Sequence, residues 1–386
     1  MAVLKIFPEK DTTLYSLFPN MNTGLDEIVE ATLTTFAYSD PSPQTSRFLI
    51  KFAQEDLAAA INLIPQALFN SGSTTSTGSW NAKLQCLVST VTGLNVTTSV
   101  DCFPVAQDWG MGTGRYLDDP ISTDGASWIW ADYSGSSQWI IPPTAGATSS
   151  YTSSVPSGGG TWYTGSQYTA SVTFSYRTDK DLNLDVTNTV KAWTTSSGTY
   201  PITIIDNYGF LLKQSLEFVD NKNYQPELKY FSVDTNTIYP PALQISWRDF
   251  TFNTGSSTQT ILNTLPATLT LAQNPGVFYS QSINRFRINA RPEFPIQLWE
   301  TSSVYTNNFY LPTASYYAIK DLETNEYIIE FDNNYTQISA DATSSYFDVY
   351  MDFLQPERYY TILIKTTING STMVYDDQYY FKVING

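Results

Sequence analysis

The sequence predicts an all-β chain folded as sandwich-like domains, and three observations carry that expectation. Aromatic residues make up 15% of 386 positions, 27 of them Tyr, alongside abundant Thr, Val and Phe, the residue types that suit a half-buried pleated surface. Runs such as Leu84-Gln-Cys-Leu-Val-Ser-Thr90 alternate apolar and polar residues, the period of a strand with one buried face. Gly, Pro, Asn and Ser clusters punctuate the chain between such runs, and only short stretches read as helix. Hydrophobic residues at 42% supply real cores, and the length suits roughly two to four compact domains.

In chain order, AVLKIF (Ala2–Phe7) reads as a first strand, and residues 3–52 give strands around a long NMNTG loop (Asn20–Gly24). Glu55–Asn62 is the best helical stretch, and Asn70–Ser79 is a Gly/Ser/Thr-rich loop or hairpin tip. Leu84–Thr90 and Thr97–Phe103 flank Gly93-Leu94-Asn95. A hairpin centred on Leu94 places Cys86 opposite Cys102, with Leu84, Val88 and Val100 on the same buried face. Two readings follow: a cross-strand disulfide, or two small buried thiols that stay reduced. No mark of an oxidising compartment favours the disulfide. Residues 107–170 form a long insertion rich in Gly, Ser, Thr and Pro, with Trp109, Trp128, Trp130, Trp139 and Trp162. So many indoles are too apolar for a floppy linker; they imply an ordered excursion packed on the sandwich or docked on a partner. Asp185–Trp193 reads as a short helix with Asp185 as N-cap and Val186, Val190 and Trp193 on one face.

The text of the chain changes after residue 251. Residues 252–274 mix polar turns with a strand-like run, as a linker, and 275–386 read as a second sandwich. Its strands are expected at Ser303–Tyr310, Tyr316–Lys320, Glu326–Phe331, Tyr346–Met351, Leu354–Lys365 and Tyr379–Ile384, with a hairpin turn at Asn369-Gly370. Leu354-x-Pro356-x-x-x-Tyr360 resembles the tyrosine-corner entry to the sixth strand of fibronectin type III or immunoglobulin-like sandwiches.

Separated stretches of the first part share a second likeness: Asp11–Glu27 (DTTLYSLFPNMNTGLDE), Ser46–Phe52 (SRFLIKF), Asp185–Trp193 (DVTNTVKAW), Tyr208–Lys213 (YGFLLK) and Pro226–Val233 (PELKYFSV). Their order and spacing resemble the DNRLRE-type β-jelly-roll module, a non-catalytic domain of extracellular and virion surface proteins. Trp109–Trp130 and Gly159–Tyr176 look like the version carried by tailed-bacteriophage structural proteins. The resemblance covers roughly residues 3–250. It implies an N-terminal jelly-roll sandwich over 1–251, interrupted by the insertion and followed by the immunoglobulin-like sandwich.

Composition limits the chemistry. The chain has no His, which removes Ser-His-Asp and Cys-His nucleophile systems and His zinc sites, and its two Cys cannot complete a structural zinc site. Phosphate-loop and nucleophile-elbow motifs are missing, and Gly110-Met-Gly-Thr-Gly114 has the wrong spacing for a dinucleotide fingerprint. A carboxylate-pair glycosidase is the enzyme class left open. Asp118-Asp119 with Asp124 is its most suggestive cluster, against the plain reading of a solvated acidic turn. Asp179, Asp181, Asn183 and Asp185 alternate as calcium ligands can, but lack the glycine and terminal Glu of an EF-hand loop. No cofactor is expected. A net charge of −16 disfavours nucleic acid and anionic lipid as partners. No apolar run reaches membrane-spanning length, and MAVLKIFPEKD lacks a signal-peptide apolar region, so synthesis in a host cytoplasm is expected, with the Asn-x-Ser/Thr sites at Asn95, Asn334 and Asn369 unused.

The expectation that follows is a structural protein of a tailed-bacteriophage virion, in the tail, at the baseplate or decorating the head, touching other virion proteins through the insertion tryptophans. The alternative is a carbohydrate-binding adhesin module whose exposed aromatics stack on host glycan.

Overall fold

The computed structural model describes residues 2–35, 43–65, 68, 80–94, 97–139, 147–149, 158–194, 204–215, 217, 226–255, 260–272, 274–294 and 309–386. The expected loop at Asn70–Ser79, the Asn95 site and the first part of the Ser303–Tyr310 strand lie outside them.

The described chain is mostly β, with antiparallel sheets curled into sandwiches. The early strands are β1 (Ala2–Ile6), β2 (Lys10–Tyr15), β3 (Ile28–Thr35), β4 (Pro43–Lys51), β5 (Trp80–Cys86), β6 (Val88–Thr92) and β7 (Thr98–Pro104). Short strands β8 (Trp130–Asp132), β9 (Ser137–Gln138), β10 (Ala147–Ser149) and β11 (Thr161–Tyr163) stiffen the insertion. They are followed by β12 (Ala170–Phe174), β13 (Leu182–Asp185), β14 (Phe210–Gln214), β15 (Glu227–Phe231) and β16 (Ala242–Trp247). One sheet runs β1-β16-β5-β13, and the larger runs β12-β7-β14-β4-β3-β15-β6 with β2 added on β4. Helix α1 spans Gln54–Asn62 and buries Leu57, Ala60 and Ile61. Helix α2 spans Thr187–Thr194; the Asp185 carboxylate accepts hydrogen bonds from the Thr187 N–H at 3.1 Å and its hydroxyl at 2.6 Å, so Asp185 caps it as expected.

The chain divides into two compact units, one comprising Ile6–Leu63 and Asn81–Gln244, the other Met1–Lys5, Ile64–Trp80 and Ile245–Gly386. In the first, the ladder aligns apolar side chains in rows: Leu211 of β14 lies opposite Leu49 on one side and Phe103 on the other, and all three are buried.

The Leu94-centred hairpin does not form. Cys86 belongs to β5, which pairs with β13 at Leu182, whereas Cys102 belongs to β7, which pairs with β12 and β14 in the other sheet. The chain changes sheets at Leu87, which is exposed, and β6 then pairs with β15. Alternation fixed which faces are buried but not which strand is the neighbour. Both thiols are free and buried, and burial raises both pKa values, with the charge of Cys86 a further push on Cys102.

The second unit continues with β17 (Ala267–Ala272), β18 (Val277–Tyr279), β19 (Ile283–Pro292), β20 (Ser315–Asp321), β21 (Tyr327–Ile329), β22 (Ser339–Ala340), β23 (Ser345–Tyr350), β24 (Tyr359–Ile368) and β25 (Ser371–Ile384). Its sheets run β17-β19-β23-β22 and β18-β25-β24-β20-β21. With β17, β19, β20, β22, β23, β24 and β25 as strands A to G, these are the ABED and CFG sheets of an immunoglobulin-like sandwich, and β21 extends the second. Phe347 lies between Phe286 and Tyr317 in its core, with centroid distances of 5.4 and 4.3 Å. The Tyr360 hydroxyl donates to the Gln355 carbonyl at 3.0 Å, which is the expected tyrosine corner. Asn369 and Gly370 both have positive φ, 50° and 81°, as a two-residue hairpin turn between β24 and β25 requires.

Candidate functional site

The five insertion tryptophans are placed by the sheet below them. Trp109, Trp128, Trp139 and Trp162 are buried in one cluster with Leu14, Leu49, Phe103, Val105 and Leu211. The Trp109 and Trp139 indoles donate to the carbonyls of Tyr208 at 2.8 Å and Ser127 at 2.9 Å. These four are packing of the chain itself and not the partner-facing anchors expected from the sequence, because a side chain inside its own core is not offered to a partner. The excursion supplies the outer half of a core whose inner half is the β4-β14-β7 ladder. Trp130 differs. It is half-buried, donates to Asn20 Oδ1 at 3.2 Å and meets Tyr133 edge-on at 5.2 Å.

Two polar locks hold the insertion down. Arg47, inside the SRFLIKF stretch, is fully buried and forms a bidentate pair with Glu217, both contacts at 2.8 Å. Its remaining nitrogen donates to the Gly159 carbonyl at 2.6 Å, and its guanidinium lies 4.8 Å from the Trp128 ring centroid and 5.1 Å from that of Trp162. Asn22, in the NMNTG loop, uses its whole amide. It donates to the carbonyls of Met111 at 2.7 Å and Ala126 at 2.8 Å, and accepts from the N–H groups of Gly24 at 3.1 Å and Gly114 at 2.9 Å. Gly24 is required by close approach, because a Cβ there would collide with the Met111 carbonyl.

The first unit also carries a cleft of about 170 Å³. Its floor comes from neighbouring strands β3 and β15, where Glu30 faces Lys229 and Thr32 faces Glu227 in register. Lys229 donates to Glu30 at 2.9 Å. Burial opposes the Lys229 charge, but the hydrogen bond and the charges of Glu30 and Glu227 outweigh it and raise its pKa. One wall is aromatic: Tyr116, from the insertion and 42% exposed, lies 5.0 Å from Tyr15 and 6.3 Å from Phe18, centroid to centroid. Burial, then the charge of Glu30, raises the Tyr116 pKa. The opposite wall is amide and hydroxyl: Thr34, Gln44, Thr45 and Ser46. A ring face beside fixed donors and acceptors suits a polyhydroxylated ligand.

The acidic clusters singled out in the sequence have framework partners. Asp124 accepts from the Thr113 N–H at 2.9 Å and hydroxyl at 2.6 Å; burial raises its pKa, but these bonds and one from Ser122 bring it below the usual carboxylate range. Asp118 accepts from the Arg115 N–H at 2.8 Å. Asp181 accepts from the Val88 N–H at 2.8 Å, and Asp185 caps α2. No group of three or more potential ligands able to hold a metal ion occurs among the described residues. No helix among them is long and apolar enough to cross a membrane. Sequence reasoning missed the cleft, because Glu30 and Glu227 lie far apart in the chain and meet through one strand pairing.

No family model matches the chain, and no curated protein does. Among solved structures it is aligned with a β-glucuronidase of Parabacteroides merdae at 9% identity and a TM-score of 0.16, over 96% of this chain and 36% of that one. The chain thus spans about a third of that enzyme's length. A likeness this weak carries no argument.

Proposed function

We propose that this chain is a non-catalytic structural subunit of a larger assembly, a tailed-bacteriophage virion, in the tail or baseplate or on the head surface. The observation that supports the reading is where the motif residues of the DNRLRE-like resemblance sit. Asn22 pins the insertion loops, Arg47 binds Glu217 beneath the insertion tryptophans, and Asp185 caps α2. Asp11 accepts from the Ser232 hydroxyl at 3.0 Å and the Val233 N–H at 2.7 Å, joining the first stretch to the last. Holding the chain's own geometry in this way is the work of a scaffold; an active site would leave some of these groups free for substrate. The mechanism is rigid presentation: β-sandwiches offer Tyr-rich, weakly charged faces to neighbouring proteins. The test is stoichiometric recovery of the chain from density-purified particles by quantitative mass spectrometry. Loss of the chain during purification would refute the reading.

The cleft favours a second reading, glycan binding at a host-facing surface. Tyr116 would stack on a sugar ring while Glu227, Gln44 and Thr34 accept and donate to its hydroxyls. Calorimetric titration with a panel of oligosaccharides tests it: saturable binding that Tyr116→Ala abolishes supports it, and binding unchanged by that substitution removes the cleft from consideration.

A further inference from the structure

The segment Ile245–Gly386 contains three lysines, Lys320, Lys365 and Lys382, and the fold places all three on the outer face of the sheet formed by β20, β24 and β25. Strand alternation sets this. Tyr317, Ile319, Ile362, Ile364 and Phe381 point inward and are buried, so Tyr316, Lys320, Lys365, Tyr380 and Lys382 point outward. Each lysine lies against an aromatic ring: Lys320 is 4.6 Å from the Tyr327 centroid, Lys365 is 5.1 Å from Tyr316 and 4.9 Å from Phe331, and Lys382 is 5.7 Å from Tyr359. Tyr327, Tyr359 and Tyr380 remain 45%, 52% and 39% exposed. Ala318 and Leu363 form a buried apolar floor between them.

The opposite sheet handles positive charge differently. There Arg285 is bound bidentately by Asp348 and Arg287 by Asp341, so their charge is neutralised within the unit. On the lysine face, Lys382 meets Glu357, but Lys365 has no carboxylate partner among the described residues. The face is therefore aromatic and floored with apolar atoms, and two of its ammonium groups, Lys320 and Lys365, have no carboxylate partner among the described residues, in a chain of net charge −16.

We infer that this Lys/Tyr face docks the acidic first unit of a second copy of the chain. Charge complementarity selects that occupant: residues 6–63 and 81–244 carry 22 Asp and Glu against 11 Lys and Arg. Tyr rings with lysine ammonium groups over them supply rigid anchor area, and the same ammonium groups steer the acidic partner. Two different surfaces meet in such a contact, so it either occurs twice in a reciprocal dimer or repeats from copy to copy as a ring or an open array. The inference rests on the subunit reading above and specifies one contact within it.

Sedimentation velocity of the full chain over a concentration series, at low and high salt, tests it. The wild type is expected to associate at low salt and to dissociate as salt rises. Lys320→Glu/Lys365→Glu/Lys382→Glu should sediment as a monomer, with an unchanged circular-dichroism spectrum. Tyr359→Ser/Tyr380→Ser, which leaves charge alone, should weaken association about tenfold or more. A wild type that stays monomeric at every concentration, or a triple lysine variant that associates like the wild type, overturns the inference. So does a monomeric wild type that binds an acidic oligosaccharide through these lysines. A monomeric wild type that still incorporates into particles refutes this contact and leaves the subunit reading standing; failure to incorporate refutes both.

Discussion

Replacing Arg47 by Met isolates the lock between the sheet and the insertion. Arg47 and Glu217 are 0% and 3% exposed, so water does not solvate the carboxylate left behind, and Lys213 Nζ, 3.4 Å away, compensates its charge only in part. Breaking a buried pair on one side costs about 3–5 kcal/mol. The substitution also removes the hydrogen bond to the Gly159 carbonyl, about 1–2 kcal/mol, and the stacking against Trp128 and Trp162, about 1 kcal/mol. Met refills part of the apolar volume, so the expected total is about 4–6 kcal/mol. Arg47→Met/Glu217→Leu leaves no orphaned carboxylate and should recover about 2–4 kcal/mol of that loss. Chemical denaturation followed by tryptophan fluorescence reads both values, because four of the indoles report on this core. A single-variant loss under about 1 kcal/mol, or a double variant no more stable than the single, would refute the buried-lock account.

Further outcomes follow from the same structure. Asn22→Ala removes four hydrogen bonds that hold the loops around Gly24 and Gly114, and should cost about 2–4 kcal/mol in the same assay. Burial pushes the Asp11 carboxyl up to about 7, against hydrogen bonds from Val233 and Ser232 that favour its charged form. The folded state then holds a proton that the unfolded state has released, so the Asp11 contribution is full below about pH 4 and is lost as pH rises through about 7. Relative to Asp11→Asn, the wild type should therefore lose about 2–4 kcal/mol of stability across that window, and parallel pH profiles for the two proteins would contradict this. Tyr360→Phe deletes the tyrosine-corner bond to Gln355 and should cost about 1–2 kcal/mol, seen as a lower melting temperature without a change in β content.

Local chemistry was legible in the sequence wherever it depended on neighbours in the chain. Strand alternation located β7, β20 and β23, while the Leu84–Thr90 run spans the end of β5 and the start of β6; the Asp185 cap fixed the start of α2, and Asn369-Gly370 fixed the last hairpin. Tyr360 announced its own bond, because donor and acceptor lie five residues apart. Pairing between distant strands was not legible. Cys86 and Cys102 have the right alternation for a hairpin, yet their strands joined different sheets, because burial on both sides of a sandwich rewards the same pattern. The tryptophans gave a correct signal of packing in the described part of the insertion, but composition alone does not say whether an indole is covered by its own chain or by another. Nothing in the sequence tied Arg47 to Glu217, which lies 170 residues later and meets it only in the fold. The cleft had no signature, since its charged floor exists only through the β3–β15 register.

The most direct test of the structural-subunit account is a cryo-electron microscopy map of the intact particle into which the two units can be fitted. The account predicts ordered copies at repeating positions, each touching at least one neighbouring protein through exposed β-sheet faces, with Trp109, Trp128, Trp139 and Trp162 inside each copy. A particle without density for the chain, or copies held only by a disordered tether with both sandwiches free of neighbours, would contradict it.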